Sequence, residues 1–315
     1  MTGEKPQRLV FGEALVELGA GDPRIVVLDA DVSSSTQTRL FAAAYPDRFF
    51  NFGIAEANMV SAAAGLAACG LVPVVSTFAL FLSLRASEQV RAQIAFTGLN
   101  VKLAGGYAGL SDYADGASHQ SVEDLAVMRA IPGMTVLAPS DATLTRQALA
   151  ASIRHPGPVF IRISREAVGE DYSPGSPFAI GKGIVLQPGR DVTLVSTGTM
   201  ARMTGAAARK LAARGVSAGV IDMHTVKPLD EDLIVQAAHE SGAIVTAEEH
   251  SVIGGLGSAV CEVVCRRHPV PVIRCGIADR FGESGSYAEI LTRAGLSVEA
   301  IADAAAAAMK LKGRF

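Results

Sequence analysis

Residues 49–88 read FFNFGIAEANMVSAAAGLAACGLVPVVSTFALFLSLRASE, and from Ala57 to Leu84 the chain carries no charge. Glu56 stands at the head of that run. A carboxylate there can complement the positive end of a following helix, or it can hold a proton in a site kept free of water. Spacing alone does not separate the two. Three other residues are of types suited to chemistry: Asp115 and His119 in the stretch GGYAGLSDYADGASHQ, and Arg165 just after VFIRIS. Their plainer readings are a turn aspartate, a helix-capping histidine and a surface arginine. Ser33, Ser34 and Ser35 follow Asp29 and Asp31 as a polar cluster that is either a ligand site or an ordinary helix cap. Cys261, Cys265 and His268 share one stretch, with the cysteines spaced to share a helix face, but no second pair of ligands accompanies them and no metal site is assigned.

Elements must bring these residues together. Gly65, Gly70 and Pro73 interrupt the apolar run, so it parses as a strand at 49–52, a helix at 56–68, a buried strand at 71–75 and a helix opened by Phe78, not as a membrane span. Before it, helical spacing covers 8–18 and a strand covers 25–30. After it, Arg85, Glu88 and Arg91 fall on one helix face by their three-residue spacing. A strand at 101–104 leads into the long loop 105–120. Ser121 with Asp124 marks a helix start over 122–129, which leaves His119 before a positively polarised helix end. Strands at 135–138 and 159–163 flank a helix at 141–154.

Residues 170–189 have the Pro, Gly and Ser content of a linker. From Asp191 the alternation restarts: strand VTLVSTG, helix 201–214, strand SAGVIDM, helix 231–240, strand AIVTAEE, a helix carrying Cys261, strand PVIRC and a helix over 287–310. The pattern predicts two doubly wound α/β domains, 1–170 and 190–315, joined by 171–189, with ligands gathered at the carboxyl ends of the strands. The GGLG run at 254–257 lacks dinucleotide-fingerprint spacing and reads as a tight turn with close helix packing.

With 315 residues and 49% hydrophobic content, the core is ample for two domains. The 28 basic and 31 acidic residues form no basic stripe, so neither a nucleic acid nor a membrane is an expected partner. The first eighteen residues lack the apolar core of a secretory signal, and the four cysteines form no framework. A cytoplasmic protein with reduced, mostly buried thiols is expected. The Ala/Gly/Ser face after Glu56 and the apolar stretch beyond it predict a dimer of this chain.

The string NFGIAEANM followed by STFALF resembles the cofactor-facing segment of transketolases and their thiamine-dependent relatives. DGASHQSVEDLAVMRAIPGMTV, the triplet ISR at 163–165, VKPLD from Val226, EEHSVIGGLGSAV from Glu248 and RFGESGSYAEIL from Arg280 are similar to the same family, in its order, over nearly the whole chain. The resemblance implies a thiamine-diphosphate pyrimidine-binding domain followed by a transketolase C-terminal domain. It implies that Glu56 bonds the aminopyrimidine ring, that Phe78 and Phe81 wall it, that His119 is catalytic with Glu56, and that Ser35, Asp115, His119 and Arg165 contact substrate. The family's pyrophosphate domain opens on Gly-Asp-Gly, a triplet found nowhere here. The resemblance therefore implies a split enzyme: a separate transketolase subunit carrying the pyrophosphate domain holds most of the diphosphate and Mg2+, within an α2β2 assembly. Such an enzyme moves a two-carbon ketol unit from a ketose phosphate to an aldose, so its small-molecule partners are sugar phosphates. A β subunit of a 2-oxoacid dehydrogenase shares both domains and the glutamate, but the DGASHQ loop and the RFGESGSY ending favour transketolase. A non-catalytic regulatory subunit is the remaining alternative, and the retention of Glu56, Phe78, Phe81 and His119 argues against it. Two positions depart from single-chain transketolases: Tyr107 replaces a substrate-facing histidine and Leu84 an aromatic.

Overall fold

The computed structural model describes residues 4–312. Its strands, in chain order, are β1 (Lys5–Pro6), β2 (Ile25–Asp29), β3 (Phe49–Asn51), β4 (Val72–Phe78), β5 (Lys102–Gly106), β6 (Thr135–Leu137), β7 (Val159–Arg162), β8 (Ala167–Val168), β9 (Ile184–Gln187), β10 (Val192–Ser196), β11 (Ala218–Asp222), β12 (Thr225–Lys227), β13 (Ile244–Ser251) and β14 (Val272–Ile277). The first sheet runs β12-β6-β7-β5-β4-β2-β3 and the second β14-β13-β10-β11-β9. Strands β2, β4, β5 and β7 are buried along their whole length, which is why they read as continuous apolar runs: parallel strands covered on both faces have no solvent side to alternate with.

Helices cover both faces of each sheet. On one face of the first sheet, Met59, Val60 and Ala63 pack with Leu82, Val90, Ile94, Leu125 and Met128; on the other, Phe11, Leu15 and Phe41 pack with Leu149. The second sheet lies between the helices Met200–Ala212 and Val298–Leu311 on one side and Glu231–Ser241 and Leu256–Arg267 on the other. Both domains are thus α/β layers of the expected kind.

The structure departs from the sequence reading in several places. The stretch read as linker contains β9, which adds antiparallel to β11 at a sheet edge. The helix read from Phe78 begins later, because β4 extends through Phe78, and its residues Phe81–Arg85 and Val90–Ala95 are wound as π-helix around a short α-turn. The helix read over 287–310 is two, Tyr287–Arg293 and Val298–Leu311, broken where Gly295 takes a φ of +77° and Ser297 caps the second through Ala300 N at 3.1 Å. The helix after His119 begins at Asp124, whose side chain pairs with Arg162 and does not cap. Buried thiols are the exception: Cys275 is buried and Cys261 half-buried, but Cys69 at a helix end and Cys265 on an outer helix face are exposed.

Two devices join the domains. β12, from the second half of the chain, pairs antiparallel with β6 and completes the edge of the first sheet. Glu249, on β13, is buried and accepts from Leu110 N at 2.7 Å, Thr199 Oγ1 at 3.0 Å and the Tyr287 hydroxyl at 2.6 Å. Gly109, with a φ of +66°, permits this approach, since a Cβ there would stand 2.5 Å from Glu249 Oε1. Arg162 closes the junction, bonding Asp124 through Nε at 2.8 Å and the Glu249 carbonyl through Nη2 at 2.7 Å.

Candidate active site

The residues singled out in the sequence stand where a doubly wound sheet gathers ligands. Ser35 follows β2, Phe78 ends β4, Tyr107 follows β5, Arg165 follows β7, and Glu56 opens the helix Glu56–Ala68 after β3. Glu56 is 2% exposed, and both of its carboxylate oxygens accept from Arg85 Nη1, at 3.0 and 2.9 Å. The Arg85 guanidinium also lies over the Phe81 ring, 4.0 Å from its centre. Phe81 in turn meets Phe78 at 5.9 Å and His119 at 5.4 Å, ring centre to ring centre. An aromatic wall therefore runs from the buried carboxylate to the histidine, which meets Phe81 edge-on and whose Nδ1 is held 2.9 Å from Ser118 Oγ.

Beyond Phe78 the wall becomes cationic. Tyr107 packs on Phe78 at 4.7 Å and is flanked by two guanidiniums, Arg8 at 5.6 Å and Arg165 at 5.1 Å from its ring centre. Arg8 also donates to the Tyr107 hydroxyl at 3.1 Å and to the Ser35 carbonyl at 2.9 Å. Tyr107 has a φ of +57°, a conformation that costs a side-chain-bearing residue roughly 1–2 kcal/mol, so the surrounding contacts hold it in place. Asp112, fully buried, lies 3.4 Å from Arg165 Nη1. Burial first, and then the negative charge of Asp115, raise its carboxyl to about 6, against a smaller opposing pull from Arg165 and His119. Asp115, His119 and Arg165 thus all lie within electrostatic reach of Asp112.

The model for the transketolase pyrimidine-binding domain matches residues 5–170, and that for the transketolase C-terminal domain matches residues 181–301. The chain belongs to the transketolase family. The 6-deoxy-6-sulfo-D-fructose transketolase subunit SqwH of Clostridium sp. (strain MSTE9) is 42% identical over 95% of this chain and 92% of its own length. An apulose-4-phosphate transketolase subunit of Phocaeicola vulgatus is 38% identical over 93% of this chain and 94% of its own. Among solved structures, one described as a split gene transketolase, inactive beta4 tetramer, superposes with a TM-score of 0.90 at 47% identity, covering 98% of this chain and 100% of its own.

The side chains suit the part of a transketolase cofactor that this domain type meets. A buried carboxylate at the edge of an apolar aromatic wall fits an aminopyrimidine ring, which offers a flat face and a ring nitrogen that bears a proton in its protonated and imino forms. Among the described residues, no group of three or more His, Cys, Asp or Glu side chains is placed to hold a metal ion. Three residues of the site carry no signal of it in the sequence. Spacing groups Arg85 with Glu88 and Arg91 on a helix face, yet its side chain folds back to Glu56. Arg8 reads only as part of the first helix. Asp112 has the same loop surroundings in the sequence as Asp115, and only its complete burial distinguishes it.

Proposed function

We propose that this chain is the pyrimidine-domain subunit of a split, thiamine-diphosphate-dependent transketolase that moves a two-carbon ketol unit from a ketose phosphate to an aldose. Activity then requires a partner subunit carrying the pyrophosphate domain, which holds most of the diphosphate and Mg2+. What carries the reading is the buried Glu56 carboxylate at one end of the Phe78–Phe81 wall, with Arg8 and Arg165 at the other. Thiamine diphosphate, when bound, supplies the electron sink for carbon–carbon bond cleavage. Glu56 would accept from a ring nitrogen and hold the proton there, and Phe78 and Phe81 would keep water from the ring. His119 and Asp115 would bond the sugar hydroxyls. Arg165, with Arg8 beside it, would take the anionic terminus through its fork of donors. The two relatives named above carry a sulfonated and a phosphorylated sugar in their names, which supports an oxyanion-bearing ketose as the substrate class.

The test is the variant Glu56→Gln, nearly isosteric, in the complex with the partner subunit. Proton exchange at the cofactor's thiazolium carbon should fall by roughly 10²- to 10⁴-fold while fold and assembly persist. If Glu56 only complemented a helix dipole, the exchange rate would stay at its wild-type value and stability would drop by at most about 1 kcal/mol.

A further inference from the structure

Glu56 is almost wholly buried, and among the described residues its carboxylate is bonded by one side chain, that of Arg85. Such a carboxylate is costly to leave without a partner, so Arg85 supports the subunit in this state. The form of the contact is informative. A guanidinium is a flat, delocalised cation with N–H groups along its edge, and here its central carbon lies 4.0 Å from the Phe81 ring centre while Nη1 points at both oxygens of Glu56. A planar nitrogenous group stacked on the aromatic wall with an N–H on the carboxylate is also the arrangement assigned above to the cofactor's aminopyrimidine. One carboxylate edge and one ring face cannot serve both.

We infer that Arg85 is a displaceable stand-in for the cofactor ring: it occupies Glu56 and Phe81 until thiamine diphosphate arrives, then moves away. The inference rests on the proposed function. Two further observations favour displacement. The Arg85 side chain is 47% exposed in this chain, so it can move off Glu56 without crossing the chain's own core. It also ends the π-wound turn Phe81–Arg85, and such turns are frequent at functional sites. Arg85 is then a positioning residue that sets cofactor affinity. In the subunit alone it keeps Glu56 charge-balanced and withholds it from other ligands.

Calorimetric titration of the subunit–partner complex with thiamine diphosphate and Mg2+ tests this, comparing wild type with Arg85→Met and Arg85→Lys. Removing the competitor should tighten the cofactor Kd by roughly three- to tenfold in Arg85→Met, the scale of one half-exposed ion pair with its cation–π contact. Arg85→Lys, which keeps the charge but not the plane, should fall between. The cofactor-free melting temperature of Arg85→Met should drop, and that of the loaded complex should not. An unchanged or weaker Kd in Arg85→Met overturns the inference. Should that variant fail to assemble, Arg85→Lys decides alone: tighter binding upholds displacement, equal or weaker binding overturns it. A wild-type complex that binds no thiamine diphosphate overturns the proposed function as well, which separates the two failures.

Discussion

Asp112 shows how a single residue in this site is balanced. It is fully buried, its Oδ2 has no hydrogen-bond partner among the described residues, and its carboxyl is raised from 3.8 to about 6, chiefly by burial and then by Asp115. A carboxyl raised in the folded state takes up its proton before the unfolded chain does. The ionised form therefore costs stability at every pH above about 6, and the cost disappears as pH falls through 6 to below 3.8. Asp112→Asn should accordingly be more stable than wild type at pH ~8 by about 2–3 kcal/mol, the free energy that corresponds to such a rise, with the gap closing toward pH ~4. Denaturant melts at the two pH values check this, and a constant gap would mean that Asp112 is not the titrating group. The contact with Arg165, at 3.4 Å, is a loose one. Such balances are not legible in the sequence. Glu56, Phe78, Phe81 and His119 are, because each sits in a short family motif, whereas Arg85 reaches Glu56 across 29 residues and Arg8 reaches Tyr107 across 99. Local periodicity cannot register a contact that exists only once the sheet has formed.

At the scale of elements, strand and helix order is legible for a physical reason: fully buried parallel strands are apolar without interruption, and most helices of the second domain carry one apolar stripe, while Glu56–Ala68 is marked instead by its Ala- and Gly-rich composition. Among the elements that escape, β12 is the one that joins the domains. Its three residues lie just after β11, and nothing local says that they pair with β6 of the other domain. What fixes them there is partly Lys227, whose Nζ donates to the carbonyls of Arg129 at 2.9 Å and Ile131 at 2.5 Å, at the carboxyl end of the helix Asp124–Ala130. Those carbonyls have no partner within the helix, and a cation there is favourably placed. Burial, and then the charge of Arg129, lower the Lys227 ammonium from its usual value, so the contact is made at a desolvation cost. Lys227→Met should destabilise the chain by about 1–3 kcal/mol, the usual penalty for stranding buried acceptors. The effect should concentrate at the domain junction, as faster hydrogen exchange of the Ala138 amide, which donates to the His224 carbonyl at 2.8 Å. Exchange at Ala138 that matches wild type would show that β12 is held by its ladder alone.

At the scale of the molecule, the shared strand and the buried Glu249 and Arg162 contacts bind two sheets into one body, and the bond from Leu110 N to Glu249 ties the loop bearing His119 to the second sheet. The outer side of that wall is apolar. Phe50 and Ile54 are 40% and 77% exposed just before Glu56, and Leu84 is 45% exposed just before Arg85. Apolar side chains flanking a buried carboxylate on the elements that carry it are poorly suited to water and well suited to another subunit. The related split-gene chain described as an inactive beta4 tetramer shows that such a chain can associate with its own copies. We expect self-association of this chain through the surface around Ile54, and the same surface to meet the partner subunit. Ile54→Glu places a charge at the most exposed of the three. Because Ile54 packs little within the chain, stability should move by no more than about 0.5 kcal/mol. A buried, unpaired carboxylate at an interface costs far more, so the oligomer should dissociate. Light scattering at micromolar concentration should then give the monomer mass for Ile54→Glu and a multiple of it for wild type, with superimposable melting curves at high dilution. A variant that keeps the wild-type mass would place the interface elsewhere, with Phe96, 86% exposed at the end of the π-wound segment, as the next residue to charge.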